Sequence, residues 1–560
     1  MTINQRRRQG SQKGQARKLR GKRRKESSIF FFLCRPWCPA PSPFLGLLVG
    51  LTAVLAGIVL GFGGPVAGAA VAVGGLAAVL VLRNQELGFF AVIGVVALLP
   101  FATLPFDIGL TPTFLDFALG AAVLVWLMGI VSGRQRELVT APVALPLLLF
   151  ILVAVFAFIF GLANGPLTPT LLRKFAELLI SLGFVLVVID YCRTWPRLER
   201  LVRFLLLMGA AAAALAIALW LLPDATANSA LNALSRLGYP GGWVIRYIEE
   251  NPELSERAIG TSVDPNSLGG LLLMIGALVG PQVVTKRPLF RRPLVLLIAG
   301  LVVVALVLTF SRGAMLGLAA GLGFVALARY RRLLPWLAVA ALLLLFLPIT
   351  QAYVARFVEG FQGTDLATQM RFGEYKDALI LIGRYPVFGV GFAGAPDVDV
   401  YLAVASVYFT IAGRMGLLGL LAFLGVIGTV FAYAFRHRRV FREETEFLPR
   451  NSVSKDAVWL GLHAALVGAL VAGVFDHYLF NMDFHHAVTI FWMVLGLAVA
   501  GTRLGSVHRI LILWGAAQDK NPVLHAVTIF WLVLGMAVAG TRLGVEEEEK
   551  QPQITQISQI

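Results

Sequence analysis

The residues with the most chemical potential lie in one short segment near the C-terminus, FDHYLFNMDFHHAVTIFW at 475–492. Three of the seven histidines fall in this segment, together with two aspartates and an asparagine. Such side chains suit a metal site, part of a sugar or phosphate site, or a polar loop between two membrane helices. Zinc needs three or four converging ligands, which neighbours in a short connection supply poorly. The last two alternatives are therefore favoured over a metal site. The polar members are Asp476, His477, Asn481, Asp483, His485 and His486.

Three other polar stretches each contain an arginine that can bind an anion. Arg257 lies in ERAIGTSVDPNSLGG, Arg312 in LTFSRGAMLGLAAGLG and Arg371 in QMRFGEYKDALILIGRYPVFGVGFAGAP. A planar guanidinium group contacts two phosphate oxygens at once, so these residues are candidates for phosphate binding. Each also has a plainer interpretation. Arg257 suits an interfacial charge, Arg312 a side chain that snorkels at the membrane edge, and Arg371 a helix lying on the membrane surface.

The remaining polar residues have structural interpretations that we favour. Asp264 and Asn266 precede a predicted helix and are expected to cap it. Arg173, Lys174 and Glu177 are expected either to snorkel or to pair with one another at the start of their helix. His463 is expected to be a buried, hydrogen-bonded histidine. Glycines spaced by four residues predict a close-packing helix face, and they are Gly313, Gly317 and Gly321.

The composition identifies the class of protein. Hydrophobic residues make up 58% of the chain and charged residues 14%, and the mean hydropathy is +0.80. Since about 20 apolar residues span a bilayer core, the recurring apolar runs predict an all-α polytopic integral membrane protein. We expect about 14 transmembrane helices, within a range of about 12–15. The predicted spans begin near residues 44, 65, 87, 112, 141, 170, 201, 267, 293, 313, 333, 402, 456 and 485.

Charge asymmetry gives the predicted orientation and domain plan. Eleven of the first 25 residues are Lys or Arg, so 1–40 is interpreted as a disordered cytoplasmic tail that contacts anionic lipid rather than nucleic acid. With this start, every predicted inward loop is basic. Transmembrane helices then occupy 41–222. A transmembrane core covers 223–505, with large extracytoplasmic loops at 223–266 and 351–401. The predicted location is the cell inner membrane.

Two further features concern the C-terminal half. The segment 402–435 is nearly uncharged and exceeds the length needed to cross a bilayer, so its outer third is expected to protrude, tilt or break. The stretch at 486–505 recurs at 525–544 with two differences in 20 positions. The region 506–560 is thus interpreted as a partial duplication followed by an acidic tail. The copy lacks DHYLFNMDF and is not expected to be catalytic.

The order of the motifs resembles the O-antigen ligase and polymerase superfamily. The resemblance runs from about Arg246 to Gly505 and rests on RAIGTSVDPN, TFSRGAMLGL, MRFGEYKDALILIGRYPVFGVGF, GLLGLLAF and FDHYLFNMDFHHAVTIFW. It implies transfer of a glycan from a polyprenyl-diphosphate carrier to a glycan or lipid acceptor, with inversion and with no metal, nucleotide or other cofactor. It also implies that Arg257, Arg312 and Arg371 bind the diphosphate.

One departure from the family pattern concerns the base. The ligases carry a histidine followed by a small polar residue, nine further residues and Gly-x-x-Gly, but the corresponding position is Ala405. Either another group deprotonates the acceptor, or the chemistry differs. The preferred candidates for the base are His477 and Asp476, ahead of His485 and His486. A ligase is the first hypothesis and a polymerase the alternative. A lipid or polysaccharide transporter is the alternative from another class.

Overall fold

The computed structural model describes residues 84–103, 111–133, 138–346, 351–363, 366–394, 404–447 and 453–520, with isolated residues between 50 and 83. The chain divides into two compact units, Met1–Arg83 and Asn84–Ile560, and the helices and strands with described bounds lie in the second. The predicted basic tail, the first two predicted spans and the second copy at 525–544 lie outside the described residues.

The described part of the second unit is almost entirely helical. Its first six α-helices are α1 (Gln85–Leu98), α2 (Phe114–Val131), α3 (Ala144–Gly161), α4 (Pro169–Tyr191), α5 (Trp195–Trp220) and α6 (Asp224–Asn232). A two-stranded antiparallel sheet follows, with β1 (Arg246–Tyr247) and β2 (Glu256–Arg257). The remaining helices are α7 (Pro265–Val284), α8 (Arg292–Leu308), α9 (Arg312–Ala328), α10 (Leu334–Phe346), α11 (Gln351–Gln362), α12 (Leu366–Arg384), α13 (Val407–Phe447), α14 (Lys455–Phe475) and α15 (His485–Lys520).

Seven helices of the described residues are long and apolar enough to cross a membrane. They lie in α2, α3, α5, α7, α13, α14 and α15. Helices α1, α8 and α9 are apolar but shorter, and α4 carries Arg173, Lys174 and Glu177 in its first turns. The all-α multi-pass class is confirmed, whereas the count of about 14 and the large loop outside the membrane stay predictions.

Local capping residues start the helices that matter most for the site. Asp264 accepts a hydrogen bond from the backbone N–H of Ser267 at 2.6 Å, and Pro265 is the first residue of α7. Both features stabilise a helix N-terminus, so the predicted capping role of Asp264 is confirmed. Thr168 and Pro169 start α4 in the same way.

Glycines bring α9 into close contact with α14. A Cβ atom on Gly317 would lie 2.5 Å from the carbonyl oxygen of Gly468, and one on Gly321 would lie 2.7 Å from that of Ala464. Only glycine permits this approach of two backbones. The close-packing face predicted from the four-residue spacing is therefore confirmed.

The helices begin and end at two opposite ends of the bundle. Ser311 packs against Gly269 and Phe475 against Gly313, so α7 and α9 begin where α14 ends. This end of the bundle, called the Asp476 face, also holds the start of α15. At the other end, called the basic face, the Ser454 N–H donates to the Arg287 carbonyl at 2.9 Å. Cations collect there, including Arg287, Arg329, Lys455 and Arg503.

Helix α13 is broken at Gly416, where the backbone has φ 68° and ψ −175°. The segment 385–394 fills the break and bonds to the backbone groups that a continuous helix would have paired. The Val390 and Gly391 N–H groups donate to the Gly413 and Arg414 carbonyls at 2.9 Å each, and the Leu417 N–H donates to the Pro386 carbonyl at 2.7 Å. Pairing within the protein is what broken helices need at membrane depth. Of the three outcomes predicted for 402–435, a break is the one observed.

The segment 223–266 is folded rather than irregular. Its helix α6 packs its buried residues Ala227 and Leu231 into a small apolar cluster with the hairpin of β1 and β2. The Tyr247 hydroxyl donates to Asp224 at 2.5 Å and closes the segment onto the end of α5. This construction places Arg257, the last residue of β2, beside the start of α7.

Candidate functional site

Arg257 joins the strand β2 to two helix termini. Its Nε donates to the Thr309 carbonyl, just after α8, at 2.9 Å. Its Nη2 donates to Oδ1 of Asn266 in the first turn of α7, also at 2.9 Å. Both acceptors are neutral oxygens, so these two bonds orient the guanidinium group without neutralising its charge.

Asp476 and His477 directly follow α14. The Asp476 carbonyl accepts the Val407 N–H at 3.0 Å, which fixes the start of α13 against the end of α14. Oδ1 of Asp476 accepts the backbone N–H of His477 at 2.8 Å and lies 3.5 Å from its Nδ1. The His477 side chain is 24% exposed, against 12% for Asp476. A half-buried imidazole beside a largely buried carboxylate is the arrangement of a histidine base and the group that orients it.

Two neighbouring side chains attach helix α12 to the same corner. The Tyr375 hydroxyl lies 3.1 Å from the Ala405 carbonyl and 3.0 Å from the Val474 carbonyl. Glu374 accepts the Ala405 N–H at 2.8 Å. Arg371 lies one turn earlier on α12, is half-buried, and acts electrostatically on Tyr375. The charge of Asp476 also acts on Tyr375. Tyr375 therefore lies near both Arg371 and Asp476.

Arg312 is the first residue of α9 and is half-buried. The residue before it, Ser311, is buried against Gly269 in α7, and the residue after it lies 3.4 Å, measured from an ideal Cβ, from Phe475. The backbone of Arg312 therefore lies between α7 and Phe475. Phe475 is the last residue of α14 and directly precedes Asp476.

The corner concentrates acids as well as arginines. Burial raises the pKa of Asp264, and the nearby Asp476 raises it further, whereas the Ser267 N–H and the charge of Arg257 lower it. Burial also raises the pKa of Tyr478 well above its usual range, with added contributions from both carboxylates. These mutual effects place Asp264, Asp476 and Tyr478 together in a poorly hydrated region, where charges interact strongly.

The structure therefore brings all five predicted site residues to one corner of the Asp476 face, called the arginine corner. It consists of Arg257, Arg312, Arg371, Asp476 and His477. The roles assigned to these residues stay predictions.

Tyr375 and Tyr478 also belong to the arginine corner, and the sequence reasoning did not single them out. Tyr375 follows Arg371 by four residues, which places both on one side of a helix. That spacing is the signal that would have found Tyr375. No spacing in the sequence indicates that Tyr478 faces both Asp264 and Asp476.

The far end of the polar segment near the C-terminus belongs to a second group of charges. Nε2 of His486 lies 2.7 Å from Oγ of Ser267, and Nε2 of His485 lies 3.7 Å from Oε1 of Glu177. Arg173 pairs with Glu177 at 3.2 Å and with Asp116 at 2.9 Å. The predicted pairing at the start of α4 is confirmed for these two residues. The two histidines are buried and structural neighbours of α4 and α7.

His463 is 1% exposed, and its Nδ1 lies 2.7 Å from the Trp459 carbonyl. This confirms a buried, hydrogen-bonded histidine. In the part of the chain that the structure describes, no group of three His, Cys, Asp or Glu side chains is arranged to hold a metal ion.

Among the described residues, seven helices are able to cross a membrane and ionisable residues collect at the two ends of the bundle, which defines a multi-pass helical membrane protein. Residues 295–424 match the family model described as O-antigen ligase. This match supports the resemblance to the superfamily over the residues that the family model covers. The matched region contains Arg312 and Arg371, whereas Arg257, Asp476 and His477 lie outside it. A search of curated proteins finds no match to the chain.

Proposed function

We propose that the protein is a membrane glycosyltransferase that moves a glycan from a polyprenyl-diphosphate carrier to an acceptor hydroxyl. The observation that carries the proposal is the arginine corner, where Arg257, Arg312 and Arg371 lie at the same end of the bundle as the Asp476–His477 pair. The O-antigen ligase domain at 295–424 supports it independently.

The arginines bind the donor's diphosphate. In the reaction, the bond between the anomeric carbon and the phosphate oxygen breaks, and its electron pair moves onto the diphosphate. Guanidinium groups in a poorly hydrated corner stabilise this developing charge more than the charge of the bound donor.

His477 removes the proton of the acceptor hydroxyl as the new bond to the anomeric carbon forms. We assign Nε2 as the nitrogen that takes the proton, because Nδ1 is buried and lies 3.5 Å from Oδ1 of Asp476. Attack from the side opposite the leaving diphosphate inverts the anomeric configuration. Transfer of the proton and departure of the diphosphate balance the reaction, with no oxidation or reduction.

We place the Asp476 face outside the cytoplasm and the basic face inside, in the inner membrane. The basic face supports this orientation because cytoplasmic ends of membrane helices are enriched in Lys and Arg. A site on the outer side meets no nucleotide sugar, so its donor arrives already activated by the diphosphate. Labelling of Arg257 and Arg371 from the cytoplasmic side alone would overturn the proposal.

The direct test is reconstitution of the full chain in liposomes with a labelled lipid-linked glycan and an acceptor, without nucleotide. Label linked covalently to the acceptor is the expected result. A ligase would use a different lipid-linked saccharide as acceptor, and a polymerase would use a second copy of the donor. The two acceptors are therefore offered in separate reactions.

One observation favours a transporter as the second candidate. Transporters often contain broken helices near the bilayer midplane, and α13 is broken at Gly416. Here the break is filled by the protein's own segment 385–394, and the charged corner lies at a helix end. Movement of label across the bilayer without a new linkage would establish the transporter and refute the transferase.

A further inference from the structure

A second pair of cations lies near the arginine corner and shares one exposed carboxylate. Lys174, in the second turn of α4, forms an ion pair with Asp483. Asp483 is also the acidic residue that acts electrostatically on Arg414. The Asp483 side chain is 62% exposed, and an ion pair with so exposed a partner contributes little stability. Asp483 is therefore an exposed acid shared by two cations, of which Lys174 also acts electrostatically on the buried Glu177.

Arg414 lies two residues before the break in α13. Its guanidinium carbon is 5.6 Å from the centre of the Phe392 ring, a cation–π contact that orients the group. Phe392 in turn packs against Phe175, the neighbour of Lys174, with 5.1 Å between ring centres. Among the described residues, Nε of Arg414 is buried and has no hydrogen-bond partner. A buried, unpaired guanidinium N–H carries a free-energy cost that a bound anion would remove.

Arg173 does not belong to this pair, although it is adjacent to Lys174. It is held by Asp116 at 2.9 Å and by Glu177 at 3.2 Å. These two contacts occupy the guanidinium group of Arg173. The available positive charge at this place therefore comes from Lys174 and Arg414.

The pair lies close to the predicted base. Asp483 and His477 belong to the same connection between α14 and α15, and the ring of Phe484 lies 6.1 Å from that of His477. A ligand held by Lys174 and Arg414 would thus lie at one end of this connection, with the diphosphate corner at the other. That separation suits a second substrate.

We propose that Lys174 and Arg414 form an anion-binding site that takes a phosphate group of the acceptor, with Asp483 displaced when the acceptor binds. This inference rests on the proposed function and deepens it, because it assigns a phosphorylated acceptor. A doubly charged phosphate forms stronger charge-assisted hydrogen bonds with these cations than an exposed carboxylate does.

The first test measures binding without catalysis. Inorganic pyrophosphate is titrated calorimetrically into the full chain in phosphatidylcholine nanodiscs, where two classes of site are expected. Lys174→Gln should weaken one class about tenfold, as for the loss of a charged hydrogen bond, and Arg257→Ala should weaken only the other. Asp483→Asn should tighten the class that Lys174→Gln weakens. Lys286→Gln removes an exposed charge on the basic face and should change neither class.

The sign of the Asp483→Asn effect on pyrophosphate binding distinguishes an anion site from a structural ion pair. If Lys174 and Asp483 form only a structural pair, Lys174→Gln and Asp483→Asn should both weaken binding or both leave it unchanged, and the proposal is wrong. A single class of sites, abolished by Arg257→Ala, would also overturn it. These outcomes concern binding, so they are distinguishable from a failure of the transferase proposal, which would show as absent transfer with both classes intact.

The second test identifies the occupant. Transfer is compared with a phosphorylated acceptor lipid and with the same lipid after phosphatase treatment. Removal of the phosphate should raise the acceptor KM of the wild type about tenfold and leave that of Lys174→Gln unchanged. Equal use of both acceptors by the wild type would refute the acceptor assignment.

Discussion

Two arginines at opposite ends of the bundle show how the same side chain serves different purposes. On the basic face, Arg329 pairs with the buried carboxylate of Asp456 at 3.2 Å. On the Asp476 face, Arg257 donates at 2.9 Å to two neutral oxygens, those of Thr309 and Asn266. The Arg329 contact joins two opposite charges directly, whereas the two bonds of Arg257 orient a cation at the helix ends where Asp264 also lies. Removal of Arg329 should therefore affect stability, and removal of Arg257 should affect chemistry.

The largest effect should follow loss of the base on the Asp476 face. His477→Ala is expected to lower the transfer rate about 10²–10⁴-fold, the range for a general base. The pH profile of transfer should change in the variant, because the group that takes the proton of the acceptor is removed. The measurement is the rate of transfer against pH with saturating donor. An unaltered pH profile would assign the base elsewhere, and Asp476→Asn would then be compared.

Loss of Arg257 should have the next largest effect. Arg257→Ala is expected to lower transfer about 10²–10³-fold, as for removal of a group that stabilises developing charge. Arg257→Lys keeps the charge but loses the two-pronged geometry, so it should recover only part of the rate. Arg236→Ala is the matched control, because Arg236 is exposed on a connecting segment. Equal activity of Arg257→Ala and Arg236→Ala would mean that Arg257 takes no part in transfer, and the proposed difference between Arg257 and Arg329 would be wrong.

Tyr375→Phe should have an intermediate effect that reports on positioning. The variant loses the hydroxyl that lies near the Ala405 and Val474 carbonyls and so loosens α12, which carries Arg371. We expect the donor KM to rise about threefold to tenfold, in line with one or two lost hydrogen bonds, with little change in kcat. A change in thermal stability with an unchanged donor KM would show that Tyr375 supports the fold alone.

Features fixed by neighbouring residues could be predicted from the sequence. The four-residue spacing of Gly313, Gly317 and Gly321 predicted the contact with α14, and Asp264-Pro265 predicted the start of α7. The length of 402–435 predicted a helix that could not cross the membrane as one straight span, and α13 is broken at Gly416. Each of these inferences depends on local geometry that period, capping or length determines.

Features fixed by distant parts of the chain could not be predicted. The segment 385–394 contains three glycines, and nothing in its sequence indicates that its backbone completes the broken α13. Arg414 was not singled out, because only the approach of Phe392 and Asp483 gives it a distinctive environment. The arginine corner was predicted from the resemblance to a family, since nothing in the spacing of Arg257 and Arg371 shows that they meet.

Asp264 offers a smaller effect with a definite sign. Its pKa is raised in the folded protein by burial and by Asp476, so its contribution to stability is present at low pH and is lost as pH rises through the folded pKa. Asn is an equally good N-cap and does not ionise. Asp264→Asn should therefore gain thermal stability relative to the wild type as the pH increases, by a few degrees at most. A difference that shrinks with increasing pH would contradict the crowding of acids at this corner.

The smallest effect should come from the ion pair on the basic face, and it completes the comparison. Arg329→Ala leaves the buried Asp456 carboxylate without this partner, so the variant should be less stable than the wild type. The double variant Arg329→Ala, Asp456→Ala should lose less free energy of unfolding than the sum of the losses in the two single variants. The coupling free energy should be about 1 kcal/mol, since Arg329 is partly exposed. Thermal unfolding of the wild type, the two single variants and the double variant in nanodiscs measures this coupling.

Transfer at temperatures where all four proteins stay folded should match the wild type. The charge of Arg329 is already neutralised by Asp456 and lies at the end of the bundle opposite the arginine corner. Slower transfer by the double variant would mean that the basic face takes part in the reaction.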